Sequence, residues 1–256
     1  MSRPPAPRGD CVVVIPARMG STRLPRKVLL PLAGLPVVEW CRRAAVKAGL
    51  GPVVVATDHA EIAGMVERLG GTAVMTPDCP SGTDRVAKAV KLLERRRGRA
   101  FKAVVNLQGD EPFIAASTIR AVARLVSRAK PAGDLSTAVV PLADVRRAAE
   151  PNLVKAVVAK DGRCLYFTRA PAPYPARDAK PAYYQHIGIY GYTRAALSRF
   201  VSLPPSPLER LESLEQLRAL EDGMTIAAAV VDDRTVAIDT ANDLARAARM
   251  KRNSHA

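Results

Sequence analysis

The chain has 256 residues, 48% of them hydrophobic, enough to bury a sizeable core, and no apolar run in it approaches the length of a membrane span. Lysine and arginine number 39 against 24 aspartate and glutamate, giving a formal charge of +15. Aromatics are only 4%, and the basic stretches at 88–99 and 246–252 carry none of the interleaved aromatics of an RNA-binding sheet, so the charge reads as steering for a small polyanion and not as a nucleic-acid surface.

Cys11, Cys41, Cys79 and Cys164 are far apart and form no metal spacing, which reads as reduced thiols. The expected location is cytoplasmic, because the apolar run after residues 1–10 is too short for a secretory signal; residues 1–9 are expected to be flexible.

Strand-like runs at 11–15, 52–57, 72–75, 102–107 and 135–140 alternate with helical patterns at 36–48, 60–69, 83–97 and 115–128. That rhythm predicts an α/β fold with a mainly parallel sheet and helices on both faces. After Pro151 the rhythm changes. Runs at 154–158 and 164–167 flank an Asp161-Gly162 turn and predict a hairpin. A proline-rich loop at 171–181 follows, then a strand at 187–192, helices from 195 and over 208–222, a strand at 225–231 and a terminal helix from 241. No internal repeat is present, so a single domain over 1–256 with a smaller subdomain is expected.

Two segments carry chemistry. Residues 12–15 form a β-branched run followed by a small-residue loop, Gly20-Ser21-Thr22, with Arg18, Arg23, Arg26 and Lys27 around it. Small side chains let backbone N–H groups approach an anion, and the cations supply charge-assisted donors, so the loop reads as a triphosphate cradle or as a solvated basic loop. Neither GxxxxGK[ST] nor GxGxxG occurs. The second segment, Gln108-Gly109-Asp110-Glu111-Pro112, closes an apolar strand. Ligands of open α/β sheets sit at such carboxyl ends, where Asp110 could hold a divalent cation against phosphate oxygens. It could equally serve as a turn residue or helix N-cap.

These segments, with Ala56-Thr57-Asp58-His59, Ser81-Gly82-Thr83-Asp84-Arg85, Tyr166-Phe167-Thr168-Arg169, 186–192, 214–218 and Ile238-Asp239-Thr240, resemble the 3-deoxy-manno-octulosonate (Kdo) cytidylyltransferases of lipopolysaccharide synthesis. These belong to a wider nucleotidyltransferase group that includes acylneuraminate cytidylyltransferases. The resemblance runs over nearly the whole chain. It implies a Rossmann-like nucleotidyltransferase sheet, a small β-containing dimerisation subdomain at about 151–195, a homodimer, and conversion of CTP and Kdo to CMP-Kdo and pyrophosphate with Mg²⁺.

Carried over residue by residue, Arg18 and Lys27 would neutralise the triphosphate. Ala17, Ser21, Thr22 and Arg23 would shape the nucleotide loop, and Ser81 and Gly82 would lie beside the cytosine. Asp110 and Asp239 would ligate Mg²⁺ and so act with Arg18 and Lys27 in catalysis. Gln108, His186, Tyr190, Glu215 and Gln216, with Arg85 and Arg169, would hold the sugar acid. Taken without the resemblance, Ser81 and Asp239 also suit helix N-caps, His186 suits a structural histidine, and Glu215 and Gln216 suit a solvated face of the 208–222 helix.

The chain departs from the family where Met19 replaces a usual aromatic and Arg26 a usual glycine, and residues 174–184 match loosely. The alternatives are 8-amino-Kdo or an acylneuraminate as substrate, a sugar-nucleotide-binding protein without turnover, and a basic nucleic-acid-binding protein.

Overall fold

The computed structural model describes residues 10–21, 23–126, 133–177, 179–180, 182–233 and 236–253, except the side chains of 252 and 253. The expectations for residues 1–9, for Thr22, for the end of the 115–128 helix and for positions 178 and 181 of the proline-rich loop lie outside the described residues. The chain divides into two compact units, one formed by Met1–Arg120 with Arg234–Ala256 and the other by Ala121–Asp233. The stretch 151–195 falls within the second.

The first unit runs β1 (Cys11–Pro16), β2 (Pro31–Leu32), β3 (Leu35–Pro36), α1 (Val37–Ala48), β4 (Val53–Thr57), α2 (Ala60–Arg68), β5 (Ala73–Met75), α3 (Gly82–Arg97), β6 (Ala103–Leu107) and into α4 (Ala116–Val126), where the division falls. β1 lies between β4 and β6, and β5 flanks β4, all parallel. Val12, Val13, Val14 and Ile15 are fully buried although successive strand residues point to opposite faces, so both faces of the sheet are covered.

The covering helices can be assigned. Asn106, in register with Val14, donates to Thr83 at the start of α3, whereas a Cβ at Gly109 would meet both Ile15 and Val38 of α1. Val14 and Ile15 face opposite ways, so α3 and α1 cover opposite faces. The sequence reading missed the β2–β3 hairpin. It is two residues a side, too short for any periodicity, and turns on Ala33 and Gly34, both at positive φ.

In the second unit, β7 (Leu135–Pro141), β8 (Lys155–Val158), β9 (Cys164–Thr168) and β10 (Tyr184–Thr193) precede α5 (Arg194–Ser202), α6 (Pro207–Glu212), α7 (Leu217–Glu221) and β11 (Ile226–Val230). The predicted hairpin is β8–β9, turning at Gly162 with φ +88°. β10 pairs antiparallel with β7 and β8, and β11 parallel with β7. The chain then returns to the first unit in α8 (Ala241–Asn253).

One prediction is corrected. Residues 208–222 do not form a continuous helix, because Ser213 adopts φ 53°, ψ 48° and ends α6. The freed Glu209 carbonyl accepts from both Ser213 and Leu214 N–H. Glu215 and Gln216 therefore stand in the link before α7 and not on a helical face, and Leu211 of α6 is exposed.

Candidate active site

Lys27 opens a 3₁₀ turn, Lys27–Leu29, close after the β1 loop. Its ammonium donates to Asp110 at 2.7 Å and to Asp239 at 3.1 Å, while Arg23 reaches the same Asp239 oxygen at 3.1 Å. Two backbone features bring the carboxylates together. The Ile238 N–H donates to the Asp110 carbonyl at 2.9 Å, tying the strand-end turn to the segment before α8. Ile238 itself is fully buried with Leu32, Val37 and Ala247, which fixes that segment by packing.

The N-cap alternative for Asp239 is settled by its neighbour. Thr240 accepts from the Asp243 N–H at 3.2 Å and donates to the Asp243 carboxylate at 2.8 Å, so Thr240 caps α8 and the Asp239 side chain is left for the cations. Burial opposes the charge on Lys27, but Asp110 and then Asp239 outweigh it and hold its pKa above the ordinary lysine value. Two carboxylates on one ammonium make a seat that a cation could share, consistent with Mg²⁺ chemistry, in which one or two carboxylates combine with substrate oxygens. Among the described residues no group of three or more His, Cys, Asp or Glu could hold a metal by itself.

These groups line a cavity of about 300 Å³ built from the carboxyl ends of β1 and β6 and from the loop between β5 and α3. Ala17, Arg18, Ser21, Arg23, Ser81, Gly82, Arg85 and Gln108 of the predicted set line it too. Arg18 is exposed and makes no hydrogen bond or ion pair among the described residues. Ser21 accepts from the Leu24 N–H at 3.3 Å, fixing the loop before Lys27. The Ala17 N–H is spent on the Ala56 carbonyl, continuing the β1–β4 ladder by one residue. Ser81 is the N-cap of α3, accepting from the Asp84 N–H at 3.1 Å, so its cap and cavity roles coexist.

Gly82 and Gly109 pack against Pro16; a Cβ at Gly109 would lie 3.1 Å from its carbonyl oxygen, so that the β1 backbone would have to give by a few tenths of an ångström. Cys79 also faces the cavity, which its lone position in the sequence did not reveal.

The family model for cytidylyltransferases matches residues 12–226. A 3-deoxy-manno-octulosonate cytidylyltransferase from Elusimicrobium minutum is 47% identical over 96% of this chain and 100% of its own length. One from Rhodopseudomonas palustris is 50% identical over 93% of this chain and 96% of its own. The chain belongs to the 3-deoxy-manno-octulosonate cytidylyltransferase family. The solved structure of CMP:2-keto-3-deoxy-manno-octonic acid synthetase complexed with CTP superimposes with a TM-score of 0.86 at 36% identity, over 96% of this chain and 100% of that one.

The remaining residues carried over from other cytidylyltransferases lie in the second unit. His186 Nε2 is 2.9 Å from Thr137 Oγ1, which also lies 2.8 Å from the Ile189 carbonyl. With the threonine hydrogen spent on that carbonyl, the proton of neutral His186 sits on Nε2 and Nδ1 is an acceptor. Phe167 and Tyr190 flank the ring at centroid distances of 5.1 and 5.4 Å, and burial pushes its pKa down to about 3. Burial likewise raises the Tyr190 phenol well above its ordinary value.

Gln216 is buried at the start of α7 beside Glu215. Arg169 donates to the carbonyls of Glu212 at 2.8 Å, Pro151 at 3.0 Å and Ser213 at 3.3 Å. Its guanidinium thus holds the link that carries Glu215 and Gln216.

Proposed function

We propose that this cytidylyltransferase joins CTP to Kdo. The anomeric hydroxyl of the sugar acid gives up its proton to solvent as its oxygen bonds to the α-phosphorus, the bond from that phosphorus to the bridging oxygen breaks, and pyrophosphate leaves carrying the electron pair. The observation that supports the reading best is the convergence of Lys27, Arg23 and Arg18 with Asp110 and Asp239 on one cavity at the strand ends. Positioning and charge neutralisation supply most of the acceleration in such transfers, and these residues offer both.

Arg18 and Arg23 take phosphate oxygens, and Lys27 places its compact charge where negative charge accumulates on the leaving pyrophosphate. Asp110 and Asp239 would hold Mg²⁺, which when bound lowers the pKa of the attacking hydroxyl and offsets phosphate charge. Ser81 and Gly82 border the base through backbone groups. Gln108, His186, Tyr190, Glu215 and Gln216 are the contacts assigned to the sugar acid, with the His186 Nδ1 lone pair accepting from a sugar hydroxyl. The names of the relatives support Kdo over an acylneuraminate. Placement in lipopolysaccharide synthesis and as a homodimer belongs to the same proposal and rests on the resemblance.

Phosphorus NMR of CTP with Kdo and Mg²⁺ tests this. It should show CMP-sugar and pyrophosphate accumulating together, with Asp110→Asn slower by about a hundred- to a thousandfold, as for loss of a principal charge-stabilising group. CTP consumption without a CMP-sugar signal would refute it.

A further inference from the structure

We infer that Asp58 and Thr76 are positioning residues for the nucleotide-binding wall, acting through Arg85, whose guanidinium clamps the loop that carries Cys79 and Ser81. The inference rests on the proposed binding of CTP in this cavity.

The geometry begins at the ends of two strands. Thr57 of β4 is in register with Met75 of β5, and the Thr76 N–H extends the ladder to the Thr57 carbonyl at 2.9 Å. Asp58 and Thr76 are therefore the first residues past the paired ends. Arg85 reaches both: Nη1 donates to Thr76 Oγ1 at 2.8 Å and Nη2 to Asp58 Oδ2 at 2.5 Å. The Arg85 side chain is only 3% exposed. A charge so far from water needs its partner, and Asp58 is the carboxylate that supplies it.

Arg85 also holds the other end of the loop. It lies one turn into α3, and its backbone N–H donates to the Ser81 carbonyl at 3.2 Å. One residue thus grips residues 76–81 twice, by its side chain at Thr76 and by its backbone at Ser81. Lys88, three residues further along α3, adds a bond to the Asp78 carbonyl at 3.3 Å. Between these points Cys79 and Ser81 form part of the cavity wall, and Gly82 follows directly. Selection among bases by close backbone contact depends on where that wall stands, and misplacement of about 1 Å can cost on the order of a hundredfold.

This differs from a direct contact between Arg85 and the sugar acid. A clamp predicts that Asp58 and Thr76 matter through CTP, whereas a sugar contact predicts that they matter through the acid. Asp58→Asn keeps the shape and an acceptor but removes the charge, and Thr76→Val keeps the volume but removes the acceptor. Thr76→Val leaves the buried ion pair in place, so it covers the case in which Asp58→Asn does not fold.

Each variant is expected to raise KM for CTP by about ten- to a hundredfold with kcat and KM for Kdo little changed, and to reduce the preference for CTP over UTP. Hydrogen exchange of the backbone amides of 78, 79, 81 and 82 should quicken by about tenfold, as local opening of the loop requires. A rise in KM for Kdo with KM for CTP unmoved, or loop amides exchanging as in the wild type, overturns the inference. Because exchange is read on the unliganded protein, it decides the clamp even if the wild type fails to turn over CTP, an outcome that would count against the proposed reaction alone.

Discussion

Lys27 meets two carboxylates with one ammonium, and its removal leaves both facing each other with Arg23 as the one remaining ion-pair partner among the described residues. Lys27→Met is expected to destabilise the fold by about 1–3 kcal/mol in the absence of divalent ions, less than for a wholly buried pair because Asp110 and Asp239 keep some water contact. Mg²⁺ should then restore stability to the variant more than it adds to the wild type, because in the wild type the ammonium already occupies the seat. Thermal midpoints with and without Mg²⁺ read both effects; equal Mg²⁺ responses would remove Asp110 and Asp239 as a shared cation seat.

His186 makes a separate prediction about pH. Its ordinary pKa of 6.5 falls to about 3 in the fold. Between these values the unfolded chain takes up a proton that the folded chain refuses, so stability falls as the pH drops through that window, by up to about 1.4 kcal/mol per pH unit. His186→Gln keeps a donor for Thr137 and removes the titration. Denaturant unfolding from pH 7 to pH 4 should show a shallower loss for the variant, and parallel curves would contradict the assignment. From sequence alone His186 was open to both a structural and a ligand reading, because the Thr137 partner lies 49 residues away. A ligand role would use the other ring nitrogen, Nδ1.

Among the elements, the long, strongly patterned ones were legible: β1, β4, β6, α1, α2 and α3 appear within a residue or so of their predicted bounds. Hydrophobic period and caps are local properties, which is why they can be read from the chain. The break at Ser213 was not legible. Residues 208–222 keep helical composition, and the stop comes from a left-handed serine, whose side chain gives no such signal as glycine would.

Arg26 is the reverse case. The sequence marked it as an arginine where the family usually has glycine, and the structure gives the reason glycine fits: φ 57°, ψ 22° at the entry to the 3₁₀ turn that carries Lys27. Among the described residues its compensation is an ion pair with Glu61, and both side chains are exposed. Left-handed backbone costs an L-residue about 1–2 kcal/mol, more than a screened surface pair returns. Arg26→Gly should therefore hold or raise stability, by up to about 1 kcal/mol after the entropy of glycine in the unfolded chain is counted. A fall in the thermal midpoint would show that the Glu61 pair matters more than the strain.

Across the whole molecule, part of the charge of +15 is gathered at the site. Cations from the β1 loop and the turn after it converge on a cavity sized for a small ligand, while much of the remaining excess is dispersed along exposed helices such as α3 and α8. What made the site legible in sequence was the loop after β1 and the turn after β6, each with its chemistry contained in a few residues. The pairing of Asp110 with Asp239 was not readable from spacing, since a backbone bond and a buried isoleucine bring them together across the chain. Nor was the Arg85 clamp, which joins two separate motifs and Thr76, a residue outside both.

The measurement that tests the central claim most directly is pyrophosphate release from CTP and Mg²⁺ with Kdo, beside 8-amino-Kdo, N-acetylneuraminate and a blank without sugar. The account predicts release with Kdo well above the other acids and none in the blank. Release with N-acetylneuraminate in preference to Kdo, or release independent of any sugar acid, would contradict it.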